Sequence, residues 1–259
     1  MGPLSGLTAL VTGAGGGIGR ATSRALAEAG ASVAINDLNE DALGDPAAAI
    51  EGTGQACLRL PGDMTNPDTV RAVTDRVISE WSRLDILVNA VGICPSRPIE
   101  ETSAEEWDQV FAINVKAMFL CCREVIGHMA RQGGGSIVNI ASNAGKTAEP
   151  LIVPYSASKF AVVGLTQGLA LELTDRRIRV NCVCPAMCET EMMERLAVDY
   201  ARLHGGTVEE YKRSFHAEIP WGRMARPDDV AHAIRFLADP ASEFFTGQAL
   251  NVSGGLEMH

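Results

Sequence analysis

Seven short runs rich in Val, Ile, Leu and Ala recur along the chain, and longer amphipathic stretches separate most of them. The runs are TALVTG from Thr8, SVAIND from Ser32, ACLRLPGD from Ala56, LDILVNAVG from Leu84, GSIVNIAS from Gly135, IRVNCVCP from Ile178 and QALNVSGG from Gln248. Between them lie helical patterns such as GRATSRALAEAG, PDTVRAVTDRVISEW, EEWDQVFAINVKAMFLCCREVIGHMARQ and SASKFAVVGLTQGLALELT. Apolar strands that alternate with helices demand a mostly parallel sheet covered by helices on both faces. At 259 residues, with no linker or internal repeat, the chain is expected to form one α/β domain over residues 1–259. Its sheet should be seven-stranded and doubly wound, of the Rossmann type.

Two segments depart from the alternation. In NEDALGDPAAAI, Gly44 and Pro46 interrupt a helical pattern, so Pro46 is expected to open a new turn with Asp45 as its cap. The segment from Glu191 to Ile219 is helical in pattern, breaks at Gly205-Gly206 and follows a strand end. Ligands of doubly wound sheets bind beyond the carboxyl ends of the strands, so this segment is expected to cover a substrate. A plain surface hairpin is the alternative.

The first run leads into Thr12-Gly13-Ala14-Gly15-Gly16-Gly17-Ile18-Gly19 and then a helix. Such a turn lets the backbone approach a pyrophosphate closely, and the helix N-terminus offers it unpaired N–H groups and partial positive charge. Asp37, eighteen residues past Gly19 at the end of the second run, stands near the distance expected of a carboxylate that binds ribose hydroxyls. A carboxylate there repels a 2′-phosphate, and neither Leu38 nor Gly16 supplies a basic group, so NAD is expected over NADP.

A second motif lies in VPYSASKFAVVG, where Tyr155 and Lys159 are four residues apart and share one helix face. That spacing alone is common by chance, and an aromatic with a snorkelling lysine satisfies it. The net charge of −10 disfavours a polyanion, so no nucleic acid partner is expected. No apolar window is long enough for a membrane span. MGPLSGLTALVTG carries neither a basic n-region nor an apolar h-region, so no secretion signal is expected. The seven cysteines are odd in number and irregularly spaced, which fits a reducing, cytoplasmic setting better than a disulfide framework. Cys182, Cys184 and Cys188 lack zinc-ligand spacing and a nearby histidine, so no metal is expected.

The glycine turn followed by Tyr-x-x-x-Lys resembles the short-chain dehydrogenase/reductase family, and ordered matches run through nearly the whole chain. GDM aligns Asp63 and Met64 with the family's adenine-holding residues. LVNAVG resembles its Asn-Asn-Ala-Gly motif, keeping Asn89 and Gly92 but with Ala90 and Val91 between them. INVKAMF matches the segment of the catalytic asparagine, here Asn114, and GSIVNIAS ends on the matching serine, Ser142. RVNCVCPAMCET resembles the stretch after the sixth strand, with Ala186 in place of the usual glycine after Pro185. These departures touch the cofactor-side backbone.

The resemblance implies an NAD-dependent oxidoreductase that interconverts a secondary alcohol and its ketone. Tyr155 would be the acid/base, and Lys159 would lower its pKa and bind the nicotinamide ribose. Ser142 would bind the substrate oxygen, and Asn114 would hold a water in the proton path. Gly13, Gly16, Gly17, Ile18, Gly19, Asp37, Asp63, Met64, Asn89, Gly92, Tyr155, Lys159, Pro185, Cys188 and Thr190 would contact the cofactor. Cys188 would then lie near the nicotinamide with an alkylation-sensitive thiol. Taken singly, Ser142 reads equally as a helix cap, Asn114 as a mid-helix hydrogen bonder and Tyr155 as a core aromatic. Substrate contacts are expected from Cys94 to Arg97, Asn143 to Gly145, Glu149 to Val153, Met187 and residues 191–219. A small polyol, sugar or hydroxy-ketone is favoured; a 3-oxoacyl thioester or cyclic ketone, or a catalytically silent NAD-sensing or scaffold protein, are the alternatives. Relatives pair the helices around Glu106–Arg131 and Ser156–Leu173 into tetramers, and Ala161, Gly164 and Gly168 suit such close packing.

Overall fold

In the computed structural model, which describes residues 2–259, each of the seven apolar runs becomes a strand. They are β1 Thr8–Thr12, β2 Ser32–Asn36, β3 Cys57–Arg59, β4 Ile86–Asn89, β5 Gly135–Ile140, β6 Ile178–Pro185 and β7 Ala249–Val252. Their order in the sheet is β3-β2-β1-β4-β5-β6-β7, and every pairing is parallel. Thr12 of β1 stands opposite Asn36 and Asn89, and Asn89 opposite Asn139, so the carboxyl ends finish level along one edge. The order reverses between β1 and β4, which opens a crevice at that edge.

Among the described residues there are nine α-helices: α1 Gly17–Glu28, α2 Gly44–Glu51, α3 Pro67–Trp81, α4 Ala104–Phe111, α5 Ala117–Arg131, α6 Val153–Leu173, α7 Glu191–His204, α8 Val208–Glu218 and α9 Pro227–Ala238. Strand side chains alternate between two cores. Leu10 faces Val73 of α3, Val125 of α5 and Val162 of α6, whereas Ala9 and Val11 face the layer of Leu26 of α1, Ile50 of α2 and Ile234 of α9. Burial on both faces explains why the strands read as continuous apolar runs. Local signals set the helix ends. The Asn66 side chain accepts from Asp68 N, Pro67 occupies the first turn of α3, and Ser82 ends the helix in the left-handed region at φ 61°.

Two expectations change in detail. Asp45 does not cap a turn opened by Pro46. Asn39 caps a single 3-10 turn at Glu40–Leu43, and α2 starts directly at Gly44, with both Asp45 and Pro46 in its first turn. Proline is tolerated there because first-turn N–H groups have no helical acceptor. The stretch read as one helix from Glu105 is instead α4 and α5 joined by a π-helical turn at Ala112–Lys116.

The segment expected to be helical over 191–219 forms α7 and α8, separated by Gly205 and Gly206 at φ +76° and +85°. Thr207 and Glu210 form a reciprocal capping box that starts α8. This hairpin has its own small core, in which Leu196, Ala197 and Phe215 pack with Ile152, Ala186 and Met224. Glu189 N donates to Ala225 O and Ala225 N to Met187 O, at 2.9 Å each, so both ends of the excursion are stitched together at its base. No helix among the described residues is long and apolar enough to cross a membrane.

Candidate active site

The glycine turn leaves β1 at the crevice. Gly13 has φ +64°, and a methyl group there would lie 2.9 Å from the backbone of Ala90 and Val91. A methyl at Gly19 would fall 2.1 Å from Gly13 O, and one at Gly17 would fall 2.9 Å from Thr190 Cγ2. Gly16 differs: nothing lies nearer than Gly13 O at 3.5 Å. Ile18 borders the cleft. Asp37 Oδ2 accepts from Gly15 N at 3.0 Å and its Oδ1 from Asn39 N at 3.1 Å, so the carboxylate is fixed against the turn. Leu38 beside it is 76% exposed and brings no positive charge. A cradle without side chains, a helix N-terminus and an adjacent carboxylate fit the phosphates and ribose of a dinucleotide. Arg20, which the sequence analysis passed over, donates to Gly15 O at 2.8 Å and stands 3.5 Å from Glu191, tying the turn to α7.

Ser142, Tyr155 and Lys159 line one cleft with Ala90, Gly92 and Met187. The first lies just past β5 and the other two on α6. The loop after β5 reaches α6 because Gly145 is bare; a methyl there would lie 2.7 Å from Lys159 O. Lys159 is 3% exposed, donates to Ile140 O at 2.8 Å, and its Nζ sits 5.4 Å from the Tyr155 ring centre. Burial pushes its ammonium down to about 8. Burial also drives the Tyr155 phenol above its ordinary value, with Cys94 adding to the rise and Ser142 opposing it. In the chain alone burial thus sets the direction of the shift, opposite to the lowering expected from Lys159 together with a bound nicotinamide. Ser142 does act as a cap, accepting from Ala144 N at 3.1 Å, and it also donates to Asn143 Oδ1 at 3.1 Å.

Asn114 is fully buried in the π-helical turn. Its Nδ2 donates to Ile93 O and Ser158 Oγ, both at 3.0 Å, and its Oδ1 accepts from Ile93 N at 2.8 Å. Ser158 Oγ donates in turn to Tyr155 O at 2.6 Å, which links the asparagine to the tyrosine's own turn of helix. A methyl on Gly92 would sit 3.5 Å from Asn114 Oδ1 and 3.6 Å from Lys159 Nζ, so these two groups flank the same glycine. Sequence reasoning missed Ser158; its position three residues after Tyr155 was the available signal.

The remaining expected contacts divide by side-chain direction. Pro185, Cys188 and Thr190 border the cleft, and Thr190 Oγ1 donates to Cys188 O at 3.1 Å. The Cys188 thiol is buried and its pKa is pushed up to about 12, chiefly by burial, which disfavours the thiolate that the expected alkylation would need. Asn89 faces away from the cleft: its Nδ2 donates to Asn139 Oδ1 at 2.9 Å inside the sheet, leaving only backbone for a cofactor. Met64 packs into the core with Val70 and Leu10, and Asp63 is occupied by Thr65 N at 2.8 Å and Thr65 Oγ1 at 2.9 Å. Among the described residues no group of three or more His, Cys, Asp or Glu is arranged to hold a metal.

Comparison with known proteins accords with this geometry. A family model described as enoyl-(acyl carrier protein) reductase matches residues 13–257. D-threitol dehydrogenase of Mycolicibacterium smegmatis is 40% identical over 252 residues, covering 97% of this chain and 93% of that one. The crystal structure of a short-chain type dehydrogenase/reductase from Mycobacterium marinum superposes with a TM-score of 0.88 at 37% identity, over 98% of this chain and 96% of that one. An NAD+-bound xylitol dehydrogenase superposes with a TM-score of 0.93 at 31% identity, over 97% of this chain and 99% of that one.

Proposed function

This chain belongs to the short-chain dehydrogenase/reductase family, and from that premise we propose an NAD-dependent enzyme that oxidises a small polyol, sugar or hydroxy-ketone at a secondary alcohol, with Tyr155 as its acid/base. It is an oxidoreductase of secondary alcohols and ketones. The observation that carries the residue assignment is the convergence of Ser142, Tyr155 and Lys159 on one cleft beside the glycine turn. NAD rather than NADP is supported by the Asp37 carboxylate and the absence of a basic group at Leu38. The polyol class is supported by the relatives that act on threitol and xylitol.

When bound, a nicotinamide cofactor would supply the hydride acceptor for the carbinol carbon. The chain's own task is to hold the alcohol and move its proton. Ser142 Oγ hydrogen-bonds the substrate oxygen, and Tyr155, once ionised to the phenolate, takes the hydroxyl proton as the C–O bond gains double-bond character. Lys159 offers the ribose hydroxyls an N–H donor and passes the proton onward. The Asn114 side chain is committed to Ile93 and Ser158, so it serves this path by fixing the backbone that flanks Lys159. In ketone reduction Tyr155 returns the proton. Gly13, Gly17, Ile18, Gly19, Gly92, Pro185, Cys188 and Thr190 would hold the cofactor, and the hairpin over 191–219 would cover the substrate.

The test mixes protein, NAD and a panel of secondary alcohols and follows reduced-cofactor absorbance. Polyols are expected to give the signal; none from any alcohol, with NAD still bound, favours a silent NAD-binding protein. The chain is further proposed to act in the cytoplasm, in keeping with seven free thiols, and to assemble as a homotetramer.

A further inference from the structure

Among the described residues Glu149 is the one carboxylate on the wall of the catalytic cleft, whose other walls are largely apolar, with Ile152, Met193 and Leu196 among them. It makes no ion pair among the described residues; only its Oε1 is engaged, accepting from Asn143 Nδ2 at 2.8 Å. A carboxylate has about four acceptor sites, so most of its capacity is unused. Its position is nevertheless held. Glu149 N donates to Ser156 Oγ at 3.3 Å, one residue beyond Tyr155. Asn143 in turn accepts from Ser142 Oγ at 3.1 Å, so a hydrogen-bonded chain runs from the serine to the carboxylate. Leaving a half-buried carboxylate without a cation is costly, and a neutral glutamine would serve Asn143 as well. Burial accordingly raises its pKa, with Glu218 adding to the rise against Asn143.

From this juxtaposition we infer that Glu149 is a specificity-determining residue that accepts a hydrogen bond from a second hydroxyl next to the reacting carbinol. The inference rests on the alcohol-dehydrogenase reading above and narrows it. The preferred substrate is a neutral polyol or its hydroxy-ketone, and a carboxylate in the same position is repelled. Ser142 and Tyr155 hold the reacting oxygen, while the free carboxylate oxygen takes the neighbouring hydroxyl. A site built to bond a substrate hydroxyl discriminates against analogues that lack it, because its own buried polar group is then left unpaired.

The test compares kcat/KM for 2,3-butanediol, 2-butanol and 2-hydroxybutyrate in the parent chain, Glu149→Leu and Glu149→Gln. NAD affinity serves as the check that each variant folds, and glutamine keeps the shape and the bond to Asn143. The diol is expected to exceed the mono-alcohol by about tenfold or more in the parent, and Glu149→Leu to bring the ratio to about one. Glu149→Gln is expected to improve the hydroxy acid relative to the mono-alcohol by about tenfold. Ratios that stay within about threefold of the parent in both variants, with NAD still bound, overturn the role of Glu149 and leave the dehydrogenase reading standing. No turnover of any alcohol or ketone by the parent overturns both.

Discussion

Lys159 illustrates at the residue scale how the site opposes stability. Its folded pKa, about 8, lies below the ordinary 10.5. Its stabilising contribution is therefore present above the ordinary value and lost as pH falls through about 8, so at neutral pH the buried ammonium is a net cost. Lys159→Met should raise the stability of the cofactor-free protein at pH 7 by roughly 2 kcal/mol in urea unfolding, with the gain shrinking as pH rises from about 8 and gone above the ordinary 10.5. Turnover should fall by about a hundredfold or more in the same variant. Tyr155→Phe should abolish turnover while NAD titration still reports binding; near-normal activity removes the tyrosine from the mechanism. Asp37→Ala should reduce the ratio of kcat/KM for NAD over NADP by about tenfold, since a carboxylate to ribose hydroxyls is replaced by a group indifferent to phosphate.

At the scale of elements, the amino edge of the sheet depends on Asp85. Its carboxylate accepts from Thr8 N at 2.9 Å and from Arg83 Nε and Nη2 at 2.8 and 2.7 Å, and Gln132 beside it clamps Leu84. One side chain thereby joins β1, the start of β4 and the end of α5. Asp85→Ala should cost about 2 kcal/mol in chemical denaturation, because it leaves the buried Thr8 N–H unpaired far from the cleft. The proposed NAD preference should be unaffected, as Asp37 lies at the opposite edge. Along the chain, the break at Gly205-Gly206 was legible because two glycines followed by Thr-x-x-Glu mark a stop and a restart. The π-helical turn at Asn114 was not, because apolar residues run evenly through INVKAMF, and only the bonds to Ile93 and Ser158 reveal the register change.

At the scale of the whole molecule, part of the surface stays uncovered. A methyl group at Gly164 or Gly168 on α6 meets nothing within 4 Å, and Phe119 and Phe160 are 43% and 45% exposed. Such bare, apolar helix faces suit the proposed pairing of α5 and α6 between subunits. Light scattering should give four times the 27.5 kDa chain mass. Gly164→Phe, which the isolated chain has room for, should shift the mass to smaller species with an unchanged circular dichroism spectrum; a parent that is monomeric removes the assembly.

The amino-acid sequence by itself determined the seven strands, their parallel class, the glycine turn with Asp37, and Tyr155 with Lys159 on one helix face. Those features depend on local periodicity and spacing, which no distant contact alters. Tertiary structure alone decided which groups face the cleft and what charge they carry there. Asn89 turned into the sheet because its cross-strand neighbour is Asn139, and Met64 into the core. Tyr155 and Lys159 lost their ordinary pKa values because packing removed water that no sequence pattern records. Glu149 became the cleft's one carboxylate because Asn143 and Ser156, from two different elements, meet at its loop.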